Sequence, residues 1–189
     1  MKATQPIRKK RQVKQYLSYF RDQGQIRNHT LAILCVYTAL RIGDILGLTF
    51  GDVYGKKGKP RKSITITEKK TGKTKTIALH KKVVKALKRY HKEAVPGLPL
   101  ILNKRTGKAI SRVHAHRILR AASEALGFEQ SVSCHSLRKT FGYHAWKNGV
   151  SPAVIMEIYN HSSLAVTRRY LGVCQDDLDA VYLEMKFAE

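Results

Sequence analysis

The stretch HSLRKTFGYHAWKNGVSPAVIMEIYNHSSLAVTRRY, residues 135–170, decides how this chain is organised. It opens with His135 and Arg138, whose spacing of three residues places both side chains on one face of a helix. Apolar residues follow at helical spacing, namely Phe141, Ala145 and Trp146. The pattern predicts a helix that keeps His and Arg on one face and packs its apolar residues into a core.

Helix stop and start signals divide the rest of this stretch into two further helices. Asn148-Gly149 is a stop signal, and Ser151-Pro152 offers an N-cap followed by proline at the first helical position. Ser162 or Ser163 can cap a last short helix, which stops near Gly172. Helix starts and ends are places where side chains can converge, and four polar ones lie there: His135, Arg138, His161 and Tyr170.

Basic residues dominate the charge of the chain. Lys and Arg number 36 against 13 Asp and Glu, which gives a net charge of +23 and a pI near 10.2. Such an excess indicates a polyanionic partner rather than a solvated basic surface without a role. Nucleic acid fits better than an anionic membrane, because no basic amphipathic segment carries Trp or Phe on its apolar face.

Length and composition favour one cytoplasmic domain. A chain of 189 residues with 43% hydrophobic content can build a single sizeable core. The longest apolar run, residues 31–40, is too short to span a membrane, and the basic N-terminus has no apolar stretch behind it. Three cysteines without C-x-x-C spacing argue against a disulfide framework and suit a reducing compartment.

The first part of the chain is predicted to place an arginine after a buried helix. Residues 1–12 form a basic arm, and residues 13–21 and 31–40 form helices, the second with candidate caps at Asn28-His29-Thr30. Arg41 follows that helix directly, and a buried arginine is costly unless it is paired. Asp44 is the candidate local partner, so a simple Arg–Asp bridge and an anion-binding arginine both fit.

A β-hairpin is predicted in the middle of the chain. Residues 63–67 and 73–79 alternate and are rich in β-branched side chains, and Gly72 lies in the turn between them. With the helices around it, this hairpin predicts an α+β fold, mostly helical with a small antiparallel sheet. Four lysines lie on or beside the turn, and each could contact a phosphate: Lys69, Lys70, Lys73 and Lys75.

A basic helix is predicted from Ser111 to Leu126. Its arginines could contact DNA or could form a solvated face: Arg112, Arg117 and Arg120. His114 and His116 do not suggest a metal site, because a spacing of two separates side chains on a helix and no Cys or carboxylate cluster joins them.

The order of these residues resembles the tyrosine recombinase family, also called phage-type integrases. That family carries His-x-x-Arg, a later His or Trp, and a nucleophilic Tyr. Here His161 lies 23 residues after Arg138, and Tyr170 lies 9 residues after His161, which is similar to the family spacing. The segment ALRIGDILGL, residues 39–48, resembles the family's first motif, with Asp44 where Glu is commoner. The resemblance covers roughly residues 28–172.

The resemblance implies a catalytic domain that acts on double-stranded DNA without a metal or any other cofactor. Tyr170 would attack phosphorus and form a covalent 3′-phosphotyrosine, while Arg41, Arg138 and His161 would stabilise the transition state. Lys70 best matches the hairpin lysine that protonates the leaving oxygen, His135 would accept or orient a proton, and Asp44 would orient Arg41. Further basic side chains are expected on the DNA: Lys69, Lys73, Arg112, Arg117, Arg120, Lys139 and Arg168.

The resemblance also implies a domain organisation and an assembly. Family members usually carry a DNA-clamping helical domain ahead of the catalytic one, yet only residues 1–27 precede the first motif's helix here. We therefore expect an arm (1–12), a catalytic domain (13–174) and an amphipathic helix (175–189), similar in size to short recombinases such as those of fimbrial switches. A fragment of a larger integrase is the alternative.

The C-terminal helix is the segment expected to join subunits. Its apolar residues share one face: Leu178, Val181, Tyr182 and Met185. In the family such a segment docks on a neighbour, so we expect a monomer in the free state and a homotetramer on paired DNA sites. Two other functions remain open, a DNA-binding regulator without catalysis and a type IB topoisomerase-like enzyme.

Overall fold

The structure, a computed structural model, describes residues 4–186. Residues 1–3 of the expected arm and 187–189 of the expected C-terminal helix lie outside the described residues. The helices are α1 (Lys10–Asp22), α2 (Ile26–Tyr37), α3 (Ile42–Ile45), α4 (Phe50–Val53), α5 (Lys81–Tyr90), α6 (Arg112–Ala125), α7 (Cys134–Lys147), α8 (Pro152–Tyr159), α9 (Leu164–Leu171) and α10 (Gln175–Glu184), with a 3-10 turn at Lys56–Gly58.

Two small antiparallel sheets accompany the helices. Strands β1 (Ser63–Thr67) and β2 (Thr74–Ala78) form the predicted hairpin, with Ile64 opposite Ile77. Strand β1 alternates exposed and buried positions, so one face of the hairpin rests on the protein. Strands β3 (Leu102–Asn103) and β4 (Lys108–Ala109) form a second short hairpin. The prediction of a mostly helical α+β fold is confirmed.

Helix α2 forms the centre of the main core. It packs against α1, α5 and α7, and residues 29–36 are all buried. Each fully buried Leu or Ile there contributes about 1.5–3 kcal/mol relative to an exposed one. Buried tyrosines elsewhere in this core donate their hydroxyl protons to backbone carbonyls: Tyr16 to Leu119, Tyr54 to Leu87 and Tyr90 to Leu100.

A second, smaller core holds α7, α8 and α9 together. It is built from Ala39, Ile155, Tyr159 and Leu171. Ala39 follows α2, Ile155 and Tyr159 lie on α8, and Leu171 ends α9. Phe141, Ala145 and Trp146 of α7 pack against them. This small core therefore fixes the relative positions of the predicted site residues.

The helix boundaries near α2 differ from the prediction. The helix begins at Ile26 rather than at Leu31, so Asn28, His29 and Thr30 lie inside it and do not cap it. Gly24 ends α1 in a left-handed conformation, φ +67°, and α2 restarts within two residues. Burial of His29, Thr30 and Leu31 outweighs the local capping preference that the sequence suggested.

Serine caps were predicted well. The side chains of Ser111, Ser151 and Ser163 each accept a hydrogen bond from a backbone N–H in the first turn of α6, α8 and α9. The structure thus selects Ser163 over Ser162, and α9 ends at Gly172 in a left-handed conformation, φ +63°. Among residues 4–186, no helix is long and apolar enough to cross a membrane.

Candidate active site

Helix α7 presents the first two predicted site residues. Ser133 caps this helix by accepting a hydrogen bond from the Ser136 amide at 3.0 Å. The cap fixes the helix start, so that His135 lies exposed in the first turn and Arg138 lies buried one turn later. Both side chains line one cleft, as their spacing predicts.

Two backbone carbonyls hold the Arg138 guanidinium. It donates to the carbonyl of Ala39 and to that of Tyr159, the latter at 3.0 Å. The Ala39 carbonyl is within reach because the chain leaves α2 with Ala39 in a left-handed conformation, φ +55°. That conformation costs an alanine on the order of 1 kcal/mol. The strained backbone therefore lies at the carbonyl that accepts a hydrogen bond from Arg138.

Arg41 also reaches the Tyr159 carbonyl, from another part of the chain. One of its guanidinium nitrogens lies 2.7 Å from Glu68 Oε2, and another donates to the Tyr159 carbonyl at 3.4 Å. The two predicted arginines thus converge on one carbonyl oxygen. Glu68 was not predicted as a partner, and its carboxylate group is fully buried.

The predicted local pairing of Arg41 with Asp44 is wrong. Arg41 has extended backbone ahead of α3, and its guanidinium pairs with Glu68 rather than with Asp44. The Asp44 carboxylate accepts a hydrogen bond from the Lys69 backbone N–H at 3.0 Å. Asp44 therefore ties α3 to the hairpin turn, while Glu68 takes the place of the partner of Arg41.

The hairpin lysines fall into two groups. Lys75 lies 2.7 Å from Glu68 Oε1 and donates to the Ile158 carbonyl at 2.9 Å, so it is engaged inside the protein. Lys69 and Lys70 are exposed on the turn and line the cleft. This placement leaves Lys69 and Lys70 as candidates for contact with a bound phosphate and makes Lys75 an internal partner of Glu68.

The loop after α8 and the end of α9 bring two more predicted residues together. Helix α8 ends at Asn160, which is left-handed with φ +52°, and His161 follows. His161 Nδ1 lies 3.0 Å from the Thr167 hydroxyl, which fixes the plane of the ring. The Tyr170 ring centroid lies 4.4 Å from that of His161 and 4.8 Å from that of His135.

Cations surround the Tyr170 ring as well. The Arg138 guanidinium carbon lies 5.9 Å and the Lys139 ammonium 5.6 Å from the ring centroid. Lys139 is buried, and its ammonium also donates to the Thr4 carbonyl at 2.8 Å. Lys139 was expected to contact DNA, and the structure places its charge beside the tyrosine and the N-terminal arm.

The concentration of positive charge perturbs both histidines. Burial, followed by the nearby Arg138 and Arg41, lowers the pKa of His161 to about 4, although Glu68 acts in the opposite direction. His135 keeps exposed surface, yet partial desolvation in the cleft lowers its pKa too, helped by Lys139 and the two arginines. Both imidazoles are therefore neutral near pH 7 in the free protein.

The remaining predicted DNA-contacting residues divide by position. Arg112, Lys69 and Lys70 line the cleft, and the Arg112 guanidinium lies against Gly43, where an added Cβ would be 3.1 Å from Nη2. The others are exposed and lie outside the cleft lining: Lys73, Arg117, Arg120 and Arg168. Arg120 also pairs with Glu124 at 2.7 Å.

Sequence reasoning missed three contributors to the site. Glu68 and Tyr159 act through contacts with residues 27 and 21 positions away, so no local pattern marks them. His116 lines the cleft beside Arg112, one turn further along α6. Its spacing of four from Arg112 on a capped helix was the available signal. Together the cleft offers a phenol, three arginines and two lysines, a set that can bind a phosphate and bring a nucleophile to it.

Comparison with known proteins identifies the family of this chain. The model of the phage integrase family matches residues 8–175. The chain therefore belongs to the phage integrase family, as the motifs predicted.

Relatives with this fold are recombinases by name. The chain is 36% identical over 182 residues to the probable integrase/recombinase YoeC of Bacillus subtilis (strain 168), covering 96% of this chain and 97% of that protein. It is 29% identical over 160 residues to the tyrosine recombinase XerC of Pelobacter propionicus, covering 83% of this chain and 51% of that protein. It thus spans nearly all of YoeC but about half of XerC.

Solved structures show the same fold. The XerA recombinase superposes with a TM-score of 0.78 at 21% identity, covering 97% of this chain and 65% of that one. The XerH site-specific recombinase, in a post-cleavage complex with a palindromic difH substrate, gives a TM-score of 0.76 at 19% identity and covers 98% of this chain and 55% of that one.

Proposed function

We propose that this chain is a site-specific DNA recombinase that cleaves and rejoins strands through a covalent 3′-phosphotyrosine on Tyr170. The observation that carries the proposal is the position of the Tyr170 ring, which contacts the rings of His135 and His161 and lies near the Arg138 guanidinium. The ring also lines a cleft that contains Arg41. Family membership supports the same assignment.

Other tyrosines near the cleft are less suited to attack phosphorus. Tyr159 is fully buried, and its hydroxyl donates to the Arg138 carbonyl at 2.6 Å. Burial raises the pKa of Tyr159, which makes its phenolate harder to form. Tyr143 is buried beneath the Arg8 guanidinium, 5.2 Å from the ring centroid. Tyr170 is the one of these three that lines the cleft.

The proposed reaction exchanges one phosphate ester for another. The Tyr170 oxygen forms a bond to phosphorus as the bond from phosphorus to the 5′ oxygen breaks. The phenolic proton leaves to His135 or to water, and the 5′ oxygen takes a proton from Lys70. The products are a 3′-phosphotyrosine and a free 5′ hydroxyl, and attack by a second 5′ hydroxyl reverses the step.

The arginines supply electrostatic stabilisation. Negative charge gathers on the non-bridging oxygens of the transition state, and two guanidinium groups fixed beside each other can bind those oxygens. Arg41 and Arg138 are already oriented by the shared Tyr159 carbonyl, so little reorganisation is needed when DNA binds. His161 would add a third donor at the same oxygens.

A pool of nicked duplexes tests the proposal without knowledge of the target site. Each duplex carries random sequence on both sides of the nick, so that cleavage releases a short fragment and leaves the protein attached. We expect a duplex–protein adduct that survives SDS, and sequencing the trapped duplexes would reveal the preferred site. A Tyr170→Phe variant should form no adduct, because it lacks the attacking oxygen.

A matched substitution separates catalysis from binding. Tyr19 lies on α1, outside the lining of the cleft, so Tyr19→Phe should form the adduct as the unaltered protein does. An adduct that persists in Tyr170→Phe, or a linked peptide that contains Tyr159 or Tyr143, would contradict the assignment. Shifted DNA mobility without any adduct would instead identify a DNA-binding regulator.

We further propose that α10 joins subunits on DNA. Asp177 holds its first turn, since the buried carboxylate pairs with Lys147 at 2.7 Å and lies 3.5 Å from Arg8. Beyond that turn, the apolar residues are exposed: Leu178, Val181, Tyr182, Leu183 and Met185. Large apolar side chains clustered on one short helix indicate a surface that becomes covered.

Deletion of residues 178–189 tests this assembly. It keeps Asp177 and its anchoring contacts but removes the exposed apolar turns. We expect the truncated protein to be a monomer with unchanged thermal stability that still binds DNA. Light scattering should show that it no longer forms the tetramer on paired sites. Tetramers that persist after the deletion would contradict the proposal, and so would a fall in thermal stability, which would show that the helix packs on its own subunit.

A further inference from the structure

Glu68 is a fully buried carboxylate at the base of the hairpin turn. Its oxygens are approached by four side chains from three parts of the chain: Arg41 at 2.7 Å, Asn160 at 3.1 Å and, from the hairpin itself, Thr71 at 2.9 Å and Lys75 at 2.7 Å. Burying an ionised group is costly unless such partners compensate it. The compensation here is large, and it comes from the elements that carry the candidate site.

Three of these partners, Arg41, Thr71 and Asn160, belong to segments that present different site residues. Arg41 is itself one of the two arginines. Thr71 lies in the turn next to Lys70, and the Gly72 backbone N–H donates to the Glu68 carbonyl at 2.8 Å. Asn160 immediately precedes His161 and ends α8 in a left-handed conformation. One carboxylate therefore connects the arginine, the hairpin turn and the histidine loop.

The charge of Glu68 opposes simple phosphate binding. It lies in the same cluster as Arg41 and Lys75 and cancels part of the positive charge that would attract DNA. Burial raises the pKa of Glu68, but hydrogen bonds from Lys75, Asn160 and Thr71 outweigh burial and bring the pKa down to about 2. The carboxylate is thus ionised whenever the protein meets DNA, so its contribution has to be positional.

We infer that Glu68 is a positioning residue that orients Arg41 and sets the hairpin turn and the His161 loop for cleavage. This inference rests on the proposed function, because it concerns the same reaction. It assigns Glu68 the orienting role expected for Asp44, which instead binds the hairpin backbone. It predicts that neutralising Glu68 slows the chemical step while leaving DNA binding unimpaired.

The experiment compares Glu68→Gln with the unaltered protein on a duplex recovered from the nicked pool. Two quantities are measured, the dissociation constant and the rate of adduct formation at saturating DNA. Misplacing a catalytic group by about 1 Å can cost 100-fold, so we expect the rate to fall about 10- to 100-fold. Binding should be unchanged or tighter, because a negative charge near the phosphate site is removed.

Glu93→Gln is the matched control. Glu93 lies 3.9 Å from Lys104 at the surface, outside the lining of the cleft, so the same chemical change there should alter neither quantity. Near-ultraviolet circular dichroism and thermal unfolding establish that each variant is folded. If Glu68→Gln does not fold, Thr71→Val serves instead, since it removes one donor to Glu68 from an exposed turn. That variant should cleave several-fold more slowly with unchanged binding.

The outcomes separate a positioning role from a structural one. A rate that stays within about twofold of the unaltered protein overturns the inference. Binding and rate that weaken by the same factor also overturn it, because a distorted fold would impair both. Absence of any adduct in the unaltered protein would count against the proposed function, whereas an adduct formed equally well by both proteins would count against the role of Glu68 alone.

Discussion

The two sides of the candidate site are built in different ways. On one side lies the helical centre, which comprises Arg138, Gly142 and Tyr159 and is buried throughout. On the other lies the hairpin tip, residues 69–73, which is exposed and connects to the protein through Glu68 and Asp44. The arginine that would stabilise charge is therefore buried and preset, while the lysine that would move a proton stands on an exposed turn.

This difference suggests a division between a buried, preset side and an exposed side. A group that binds charge in the transition state acts best when fixed in advance, because no reorganisation is then needed. A proton donor has to approach only when the leaving oxygen departs, so a short two-stranded hairpin can carry it. The contrast yields predictions in which the same kind of change has large effects on one side and small effects on the other.

The largest expected effect comes from Gly142→Ala in the helical centre. A Cβ added there would lie 2.5 Å from Tyr159 Oη and 2.9 Å from its ring, so this buried tyrosine has to move. Overpacking of this kind costs about 1–3 kcal/mol. The Tyr159 carbonyl holds both arginines, so adduct formation should fall about 100-fold. Urea unfolding and trapping on nicked duplexes measure the two effects.

Gly51→Ala is the control for that substitution. Gly51 lies in α4, and its added Cβ would meet only Thr49 Oγ1 at 3.9 Å. Because alanine favours a helix over glycine by up to about 1 kcal/mol, stability should be unchanged or slightly higher. Equal losses in Gly51→Ala and Gly142→Ala would show that the helical centre has no special role.

Substitutions of two hairpin lysines should affect different properties of the protein, stability for Lys75 and cleavage for Lys70. Lys75→Met removes an internal partner of Glu68 and should lower the free energy of unfolding by about 1–3 kcal/mol. Lys70→Met alters an exposed turn and should change stability by less than about 0.5 kcal/mol. Its effect should fall on cleavage, where loss of a general acid costs about 100-fold or more. If Lys70→Met instead lowered stability and Lys75→Met slowed cleavage without loss of stability, then Lys75 would be the general acid and Lys70 the structural residue.

A smaller effect is expected in the dependence of stability on pH, where the histidines and Glu68 act over different pH ranges. Burial lowers the pKa of His29 and of His161 to about 4 in the folded state, from an ordinary value of 6.5. Between these values the unfolded chain binds more protons, so the free energy of unfolding should fall as pH drops from 6.5 towards 4. Glu68, whose pKa is lowered to about 2, should contribute its loss only below pH 4.5.

Urea unfolding at a series of pH values measures this dependence. His29→Gln should reduce the decline in the upper range, since it removes one of the histidines whose pKa is lowered in the folded state. Glu68→Gln should leave the upper range nearly unchanged and remove part of the loss below pH 4.5. Stability that is constant between pH 6.5 and 4 would contradict the placement of these histidines.

Local sequence patterns predicted what depends on local geometry. The serine caps, the hairpin and the grouping of His135, Arg138, His161 and Tyr170 follow from spacing along single helices and from stop signals between them. What the sequence could not reveal depends on contacts between distant segments. Glu68 meets Asn160 across 92 residues, and the Ala39 carbonyl accepts a hydrogen bond from Arg138, 99 residues further along the chain. The Arg41–Asp44 pairing failed for the same reason.

The division between a preset arginine side and an exposed lysine side can be tested by changing one atom of the DNA. In a nicked duplex whose bridging 5′ oxygen is replaced by sulfur, the leaving thiolate needs no proton, because thiols are far stronger acids than alcohols. The measurement is the rate of adduct formation with the oxygen and the sulfur duplex for Lys70→Met and Arg41→Met.

We predict that sulfur restores most of the rate lost in Lys70→Met, since the missing proton is no longer required. It should not restore Arg41→Met, because charge on the non-bridging oxygens still lacks its guanidinium. If sulfur fails to rescue Lys70→Met, or rescues both variants equally, then the proton donor does not stand on the hairpin tip and the division of the site is contradicted.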